Sequence, residues 1–203
     1  MSPRHSAAEA AATRATIVDH GVARASIEGL EGLTIGTLAG ELGLSKAGVV
    51  GPFGSKEALQ LAVLKRATEI FREDVWDPAA DLPAGRKRLV AVCENWISHL
   101  SRRVFPGGCF VTTAATEWDA REGPLHDAVA AAQGRWLATL RADAEVAVRA
   151  GELPPRTDPA QLAFELNGVA MCLNQMLVLF DDKKAPARAR RAVKRLLEAQ
   201  PTG

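Results

Sequence analysis

Residues 33–64 read LTIGTLAGELGLSKAGVVGPFGSKEALQLAVL, and the fold follows from how this stretch is punctuated. Thr34 is a good N-cap, because its hydroxyl can accept a bond from a first-turn backbone N–H. Ile35, Leu38, Ala39 and Leu42 then share one face of a short helix. Gly43 supplies the left-handed residue that a helix stop needs. Ser45 caps a second helix of barely two turns, which must end near Pro52. Ser55 caps a third, longer helix to about Val75, with Leu59, Val63, Ala67 and Ile70 inward. Glu57 lies in its first turn, where the helix dipole favours a carboxylate. Two short helices hinged at one glycine and braced by a longer one form a helix-turn-helix pattern.

The flanking sequence is helical as well. Upstream, a helix from about Ala7 to Ser26 places Ala11, Ala15, Val18, Val22 and Ala25 on one stripe, and Glu28–Gly32 ends it. Downstream, the strongest break runs from Asp77-Pro78 to Pro83-Ala84-Gly85. It predicts a boundary between domains 1–76 and 77–203. Further helices are expected at about 84–103, 107–119, 123–151, 158–181 and 185–199. No segment shows strand alternation. The expected fold is all-α with about nine helices.

Composition narrows the function classes. The chain has 203 residues, 47% of them hydrophobic and 24% charged, with no Tyr. That suits a chain with a packed core rather than a disordered or fibrous one. Lys and Arg number 25 against 24 Asp and Glu, so no overall field points to a polyanion or a membrane surface. Cys93, Cys109 and Cys172 are widely spaced with no CxxC. A disulfide framework or structural zinc is not expected, and a reducing cytoplasm is. Met1–Ala12 lacks the apolar run of a secretory signal. Leu162–Phe180 is the most apolar stretch, but Glu165, Asn167, Asn174 and Gln175 interrupt it. It reads as a buried helix, not a membrane span.

Catalysis finds no support. His5, His20, His99 and His126 are scattered and form neither HxxxH nor HExxH. Ser98, His99 and Ser101 share a helix without a strained nucleophile turn. Glu117, Asp119, Arg121 and Glu122 look like an exposed helix end. There is no glycine-rich phosphate loop. Neither an enzyme nor a cofactor or metal site is expected.

A helix-turn-helix leaves its second helix free to lie across the major groove of DNA. Leu33-Thr34-Ile35, Leu38-Ala39, Gly43-Leu44-Ser45-Lys46, Phe53 and Ser55-Lys56-Glu57 with Leu59 carry a specific likeness, and Arg14, Ile17 and Val18 extend it upstream. On these residues the segment resembles the DNA-binding domain of the tetracycline-repressor family of bacterial regulators. The resemblance implies a three-helix DNA-binding domain followed by a helical ligand-binding and dimerisation domain. It implies that Thr34 caps its helix and touches a phosphate of an operator. Ser45 and Lys46 would open the recognition helix, with Lys46 on the backbone or a base edge. Ala47, Gly48, Val50 and Gly51 would lie along the groove, and Lys56 would meet a phosphate. Val49 is expected to pack inward.

This chain also departs from the family pattern. Val50 stands where the family has an aromatic, Gly51 where it has a polar or basic residue, and Pro52 where His is frequent. Gly48 and Gly51 each weaken so short a helix by about 1 kcal/mol relative to Ala. Residues 1–76 hold eight Lys/Arg against nine Asp/Glu, a net charge of −1. Any basic footprint must be local, from Lys46, Lys56, Arg4, Arg14 and Arg24, and the salt dependence of binding should be shallow. Two readings stay open. Small residues can let the backbone approach the groove, with Val50 on a thymine methyl, or DNA reading has weakened or been lost.

In the second half, Trp96, Phe105, Phe110, Trp118 and Trp136 fall on the middle helices and can line an apolar cavity or simply pack a core. Thr112, Thr113 and Thr116 can bond a ligand or their own helix. Asn167, Asn174 and Gln175 need partners if buried. Candidate ligand contacts are Trp96, Phe110, Thr113, Trp118, Trp136, Asn167, Met171 and Asn174. The last two long helices are the expected homodimer interface, a four-helix bundle in the family. Arg188, Arg190, Arg191, Lys194 and Arg195 read as a solvated face. The expected function is a DNA-binding regulator, a repressor released from its operator by a small apolar or amphipathic molecule. The alternative is a dimeric helical ligand-binding or protein-interaction module.

Overall fold

The computed structural model describes residues 7–198; Arg4 and His5 lie outside them. The described residues form nine α-helices and no strand. They are α1 (Ala7–Gly32), α2 (Ile35–Leu42), α3 (Lys46–Val50), α4 (Lys56–Phe71), α5 (Arg86–Ser101), α6 (Phe110–Trp118), α7 (Pro124–Arg149), α8 (Pro159–Val178) and α9 (Ala185–Leu197). A π-helical turn, Arg72–Trp76, and a 3-10 turn, Asp77–Ala79, follow α4. The all-α expectation holds. No described helix is long and apolar enough to cross a membrane.

The chain gathers into two compact units that are not contiguous in sequence. One comprises the chain up to Glu69 together with Phe105–Val129. Its core is built from Ile17, Val18, Val22 and Ala25 of α1, Leu38 and Ala39 of α2, Val49 of α3, and Leu59, Val63, Leu64 and Ala67 of α4. The predicted α1 stripe is buried only from Val18 onward, and Ala11 and Ala15 are exposed. An alanine face buries too little area to demand cover. The helix continues past Ser26 and breaks at Gly29, whose φ of 78° and ψ of 166° are open to glycine.

The other unit comprises Ile70–Val104 and the chain from Ala130 onward. Its long helices pack through side chains. Phe71, Trp96 and Trp136 meet edge to face at centroid distances of 4.9–5.8 Å. Arg88 pairs bidentately with Asp143 at 2.8 and 2.6 Å. Asp158 caps α8 by accepting from Ala160 and Gln161 N–H, with Pro159 in the first turn. Arg190 grips Glu94, and Arg86 donates to the Leu197 carbonyl.

Candidate nucleic-acid interface

The α2–α3 segment forms as its capping residues dictate. Thr34 Oγ1 accepts from Thr37 N at 3.1 Å. Gly43 ends α2 at φ 64°, and Leu44 N bonds the Ala39 carbonyl at 2.9 Å. Ser45 Oγ accepts from Gly48 N at 3.0 Å and opens α3. Val49 points inward and is fully buried, as expected. That orientation turns Lys46 and Ala47 to solvent and leaves Val50 half-buried. Gly51 N closes α3 onto the Ala47 carbonyl at 2.8 Å. Phe53 is held from α1 by the Arg14 guanidinium, 4.8 Å above its ring.

Lys46 is therefore the cation that α3 itself presents. Lys56 is differently placed. Its ammonium donates to the Glu31 carbonyl at 3.0 Å and lies 3.4 Å from the Glu31 carboxylate. Arg24 is engaged by Glu28 and Glu41, and His20 lies 2.6 Å from Glu41. Much of the local basic charge is thus met by acids of the same unit.

The sequence-predicted ligand contacts divide between the units. Phe110, Thr113 and Trp118 belong to the first; Trp96, Trp136, Asn167, Met171 and Asn174 belong to the second. In the first unit Phe110 is buried beside Phe105, with ring centroids 5.8 Å apart. Thr113 is half-buried, and Thr116 Oγ1 bonds back to the Thr112 carbonyl at 3.0 Å. In the second unit Trp96 and Trp136 touch. The buried indole N–H groups of both find no acceptor among the described residues, nor does that of Trp118 in the first unit. Asn167 accepts from Gln133 and donates to the sulfur of Met171. Met171 itself is exposed.

Titratable groups of the second unit cluster around α5. His99 is buried, stacks edge-on against Phe71, and lies 2.6 Å from Asp74, which Arg102 also grips. Burial pushes the His99 pKa below its ordinary value, against the pull of Asp74. Burial disfavours the Asp74 carboxylate, but Arg102 and His99 outweigh it and lower its pKa. Burial raises the Cys93 thiol to about 12, so it is not a nucleophile at neutral pH.

Glu117 departs from its reading in the sequence. It is half-buried, not an exposed helix end, and its carboxylate accepts from Leu30 and Glu31 N–H, both at 2.7 Å. One signal was available. A carboxylate in the last turn of α6 opposes the helix dipole, so it needs a donor from elsewhere.

A sequence profile described as "Tetracyclin repressor-like, C-terminal domain" matches residues 85–193. The chain belongs to the tetracycline-repressor family. Solved structures agree on the fold of this regulator. A TetR transcriptional regulator from Chloroflexus aurantiacus superposes with a TM-score of 0.86 at 23% identity, covering 95% of this chain and 98% of that one. A TetR-family regulator from Streptomyces coelicolor gives 0.78 at 21% identity, with 92% and 95% covered. AibR, in complex with isovaleryl coenzyme A and operator DNA, gives 0.75 at 19% identity, with 93% and 100% covered. No curated protein is recognisably similar in sequence.

Proposed function

We propose that two copies of this chain form a twofold dimer that reads a partly palindromic operator as a repressor, and that a small apolar or amphipathic molecule releases it. The observation that carries the reading is the α2–Gly43–α3 turn, which buries Val49 and so presents Lys46 and Ala47 outward. Thr34, Ser45, Lys46, Ala47, Gly48, Val50, Gly51 and Lys56 would make the DNA contacts. Lys56 does so by exchanging Glu31 for phosphate. Residues 1–76 would act as the reading domain and 77–203 as the ligand-binding and dimerisation domain, in the cytoplasm.

The outer face of α8 supports the dimer. Phe164, Met171 and Val178 recur along it, continued by Leu179 and Phe180, and all are exposed, Phe164 by 69%. A contiguous apolar stripe of this kind suits burial against a second copy. The outward face of α9 is instead basic, so its share of the interface is smaller than that of α8. Such a dimer sets two copies of α3 roughly 34–36 Å apart, one turn of DNA. The indole donors of Trp96 and Trp136, without an acceptor among the described residues, favour an effector that carries a hydrogen-bond acceptor on an apolar frame. A regulator of the same fold, AibR, takes both operator DNA and an acyl coenzyme A.

A gel shift with the DNA upstream of the protein's own gene tests the reading. Wild type should retard that fragment, and a Lys46→Ala/Lys56→Ala double variant should not. The acids that engage Lys56, Arg24 and His20 favour a second reading, a dimeric helical ligand-binding or interaction module. It prevails where wild type and the double variant are equally weak on every fragment.

A further inference from the structure

Past the break at Gly29, α1 ends in a last turn, and side chains from two other helices hold all four backbone polar groups of Leu30 and Glu31 there. Leu30 N–H and Glu31 N–H donate to the two carboxylate oxygens of Glu117 on α6, each at 2.7 Å. The Leu30 carbonyl accepts from Gln60 Nε2 on α4 at 2.6 Å, and the Glu31 carbonyl from Lys56 Nζ at 3.0 Å. Gly29 precedes them with φ 78°, and a Cβ there would stand 2.8–2.9 Å from the Glu117 carboxyl group. The carboxylate fills the space that a side chain would otherwise occupy. A second tie lies nearby, where Gly107 N–H, in the loop before α6, donates to Ser26 Oγ at 3.1 Å. All of these residues belong to one compact unit.

We propose that Glu117 is a positioning residue for DNA reading. Its carboxylate couples α6 to the entry of the helix-turn-helix, so that a displacement of α6 moves α2 and α3 through Leu30 and Glu31. The proposal rests on the reading that α3 contacts DNA. Each of the two successive N–H groups takes its own oxygen of one carboxylate, where an amide would offer a single oxygen. Charge-assisted bonds of this kind are stronger than neutral ones. They offset the unfavourable place of the carboxylate at the C-terminal end of α6. Thr113 lies one turn earlier on the same face of α6. A ligand that touches Thr113 therefore acts one helical turn from the clamp.

The test compares full-length wild type with Glu117→Gln and Glu117→Ala. Amide hydrogen exchange by NMR should show Leu30 and Glu31 protected in wild type and exchanging at least about tenfold faster in the alanine variant. Val63 and Leu64 in α4 should stay protected. Affinity for a fragment that wild type selects from a random-sequence library should fall about tenfold, within the usual range of coupling between sites. Glu117→Gln keeps one acceptor and should fall between the two, which guards against an alanine variant that misfolds. Unchanged exchange at Leu30 and Glu31 overturns the proposal. So does faster exchange there with DNA affinity equal to wild type, since Glu117 would then be structural only. If wild type selects no DNA, the DNA reading itself fails. The amides of Gly48 and Val49 then decide the coupling: faster exchange in the variants upholds it, and unchanged exchange overturns it.

Discussion

The two compact units keep their order by different means. In the first, short helices are closed by side chains bonded to backbone: Thr34 to Thr37, Ser45 to Gly48, Ser55 to Ala58, Gln60 to Leu30 and Glu117 to Leu30 and Glu31. In the second, bonds to backbone such as Arg86 to Leu197 are joined by larger side-chain contacts between long helices: the Phe71–Trp96–Trp136 cluster, Arg88 with Asp143, Arg190 with Glu94. Directional bonds to backbone are few, and each is lost after a small shift. Apolar burial is spread over many contacts and tolerates such a shift. A reading head built in the first way can be adjusted, and a body built in the second way can carry an interface.

Several changes separate the two designs. Asp143→Ala should have the largest effect, since the Asp143 side chain is 3% exposed and its loss strands Arg88. A loss of about 3–5 kcal/mol in chemical denaturation is expected; a loss under about 1 kcal/mol would place this pair with ordinary surface bridges. Phe164→Glu, on the exposed stripe of α8, should weaken self-association by about 2–4 kcal/mol, the scale of an interface hot spot. Light scattering should then report a monomer, and a dimer for wild type if the proposed interface holds. Gly29→Ala must hold a left-handed φ against the Glu117 carboxylate and should cost about 1–3 kcal/mol. Exchange rates should rise around Leu30 and not in α8. Ser45→Ala removes the α3 cap and should cost about 1 kcal/mol. It should weaken DNA binding more than it lowers the melting temperature.

Acid should act on the second unit with the smallest effect. The folded pKa values of His99 and Asp74 both lie below their ordinary ones. The folded state therefore binds fewer protons than the unfolded one, and these groups contribute fully only above about pH 6.5. Stability should fall as the pH drops below that, first through His99 and later through Asp74. In His99→Gln the first part of that fall should be absent from a melting series across pH. If it persists, His99 is not its source.

Local chemistry written along the chain was enough to place the helices. Thr34, Gly43, Ser45 and Pro159 act within a turn or two of their own positions, so caps, stops and periodicity can be read without knowing what packs where. The inward turn of Val49 was implied by the family resemblance, and the outward turn of Lys46 goes with it. The ends of α1 were less legible. Ala11 and Ala15 kept the apolar period without the area that burial rewards.

Contacts between residues far apart in the chain were a different matter. Glu117 reaches the amides of Leu30 and Glu31 across 87 and 86 positions, and Lys56 bonds the Glu31 carbonyl. The partition of Trp96 and Trp136 from Phe110 and Trp118 belongs to the same class. Helix formation depends on neighbours three and four residues away, which any reader of the chain can see. A carboxylate's partners depend on which helices come together, and no spacing in the text records that.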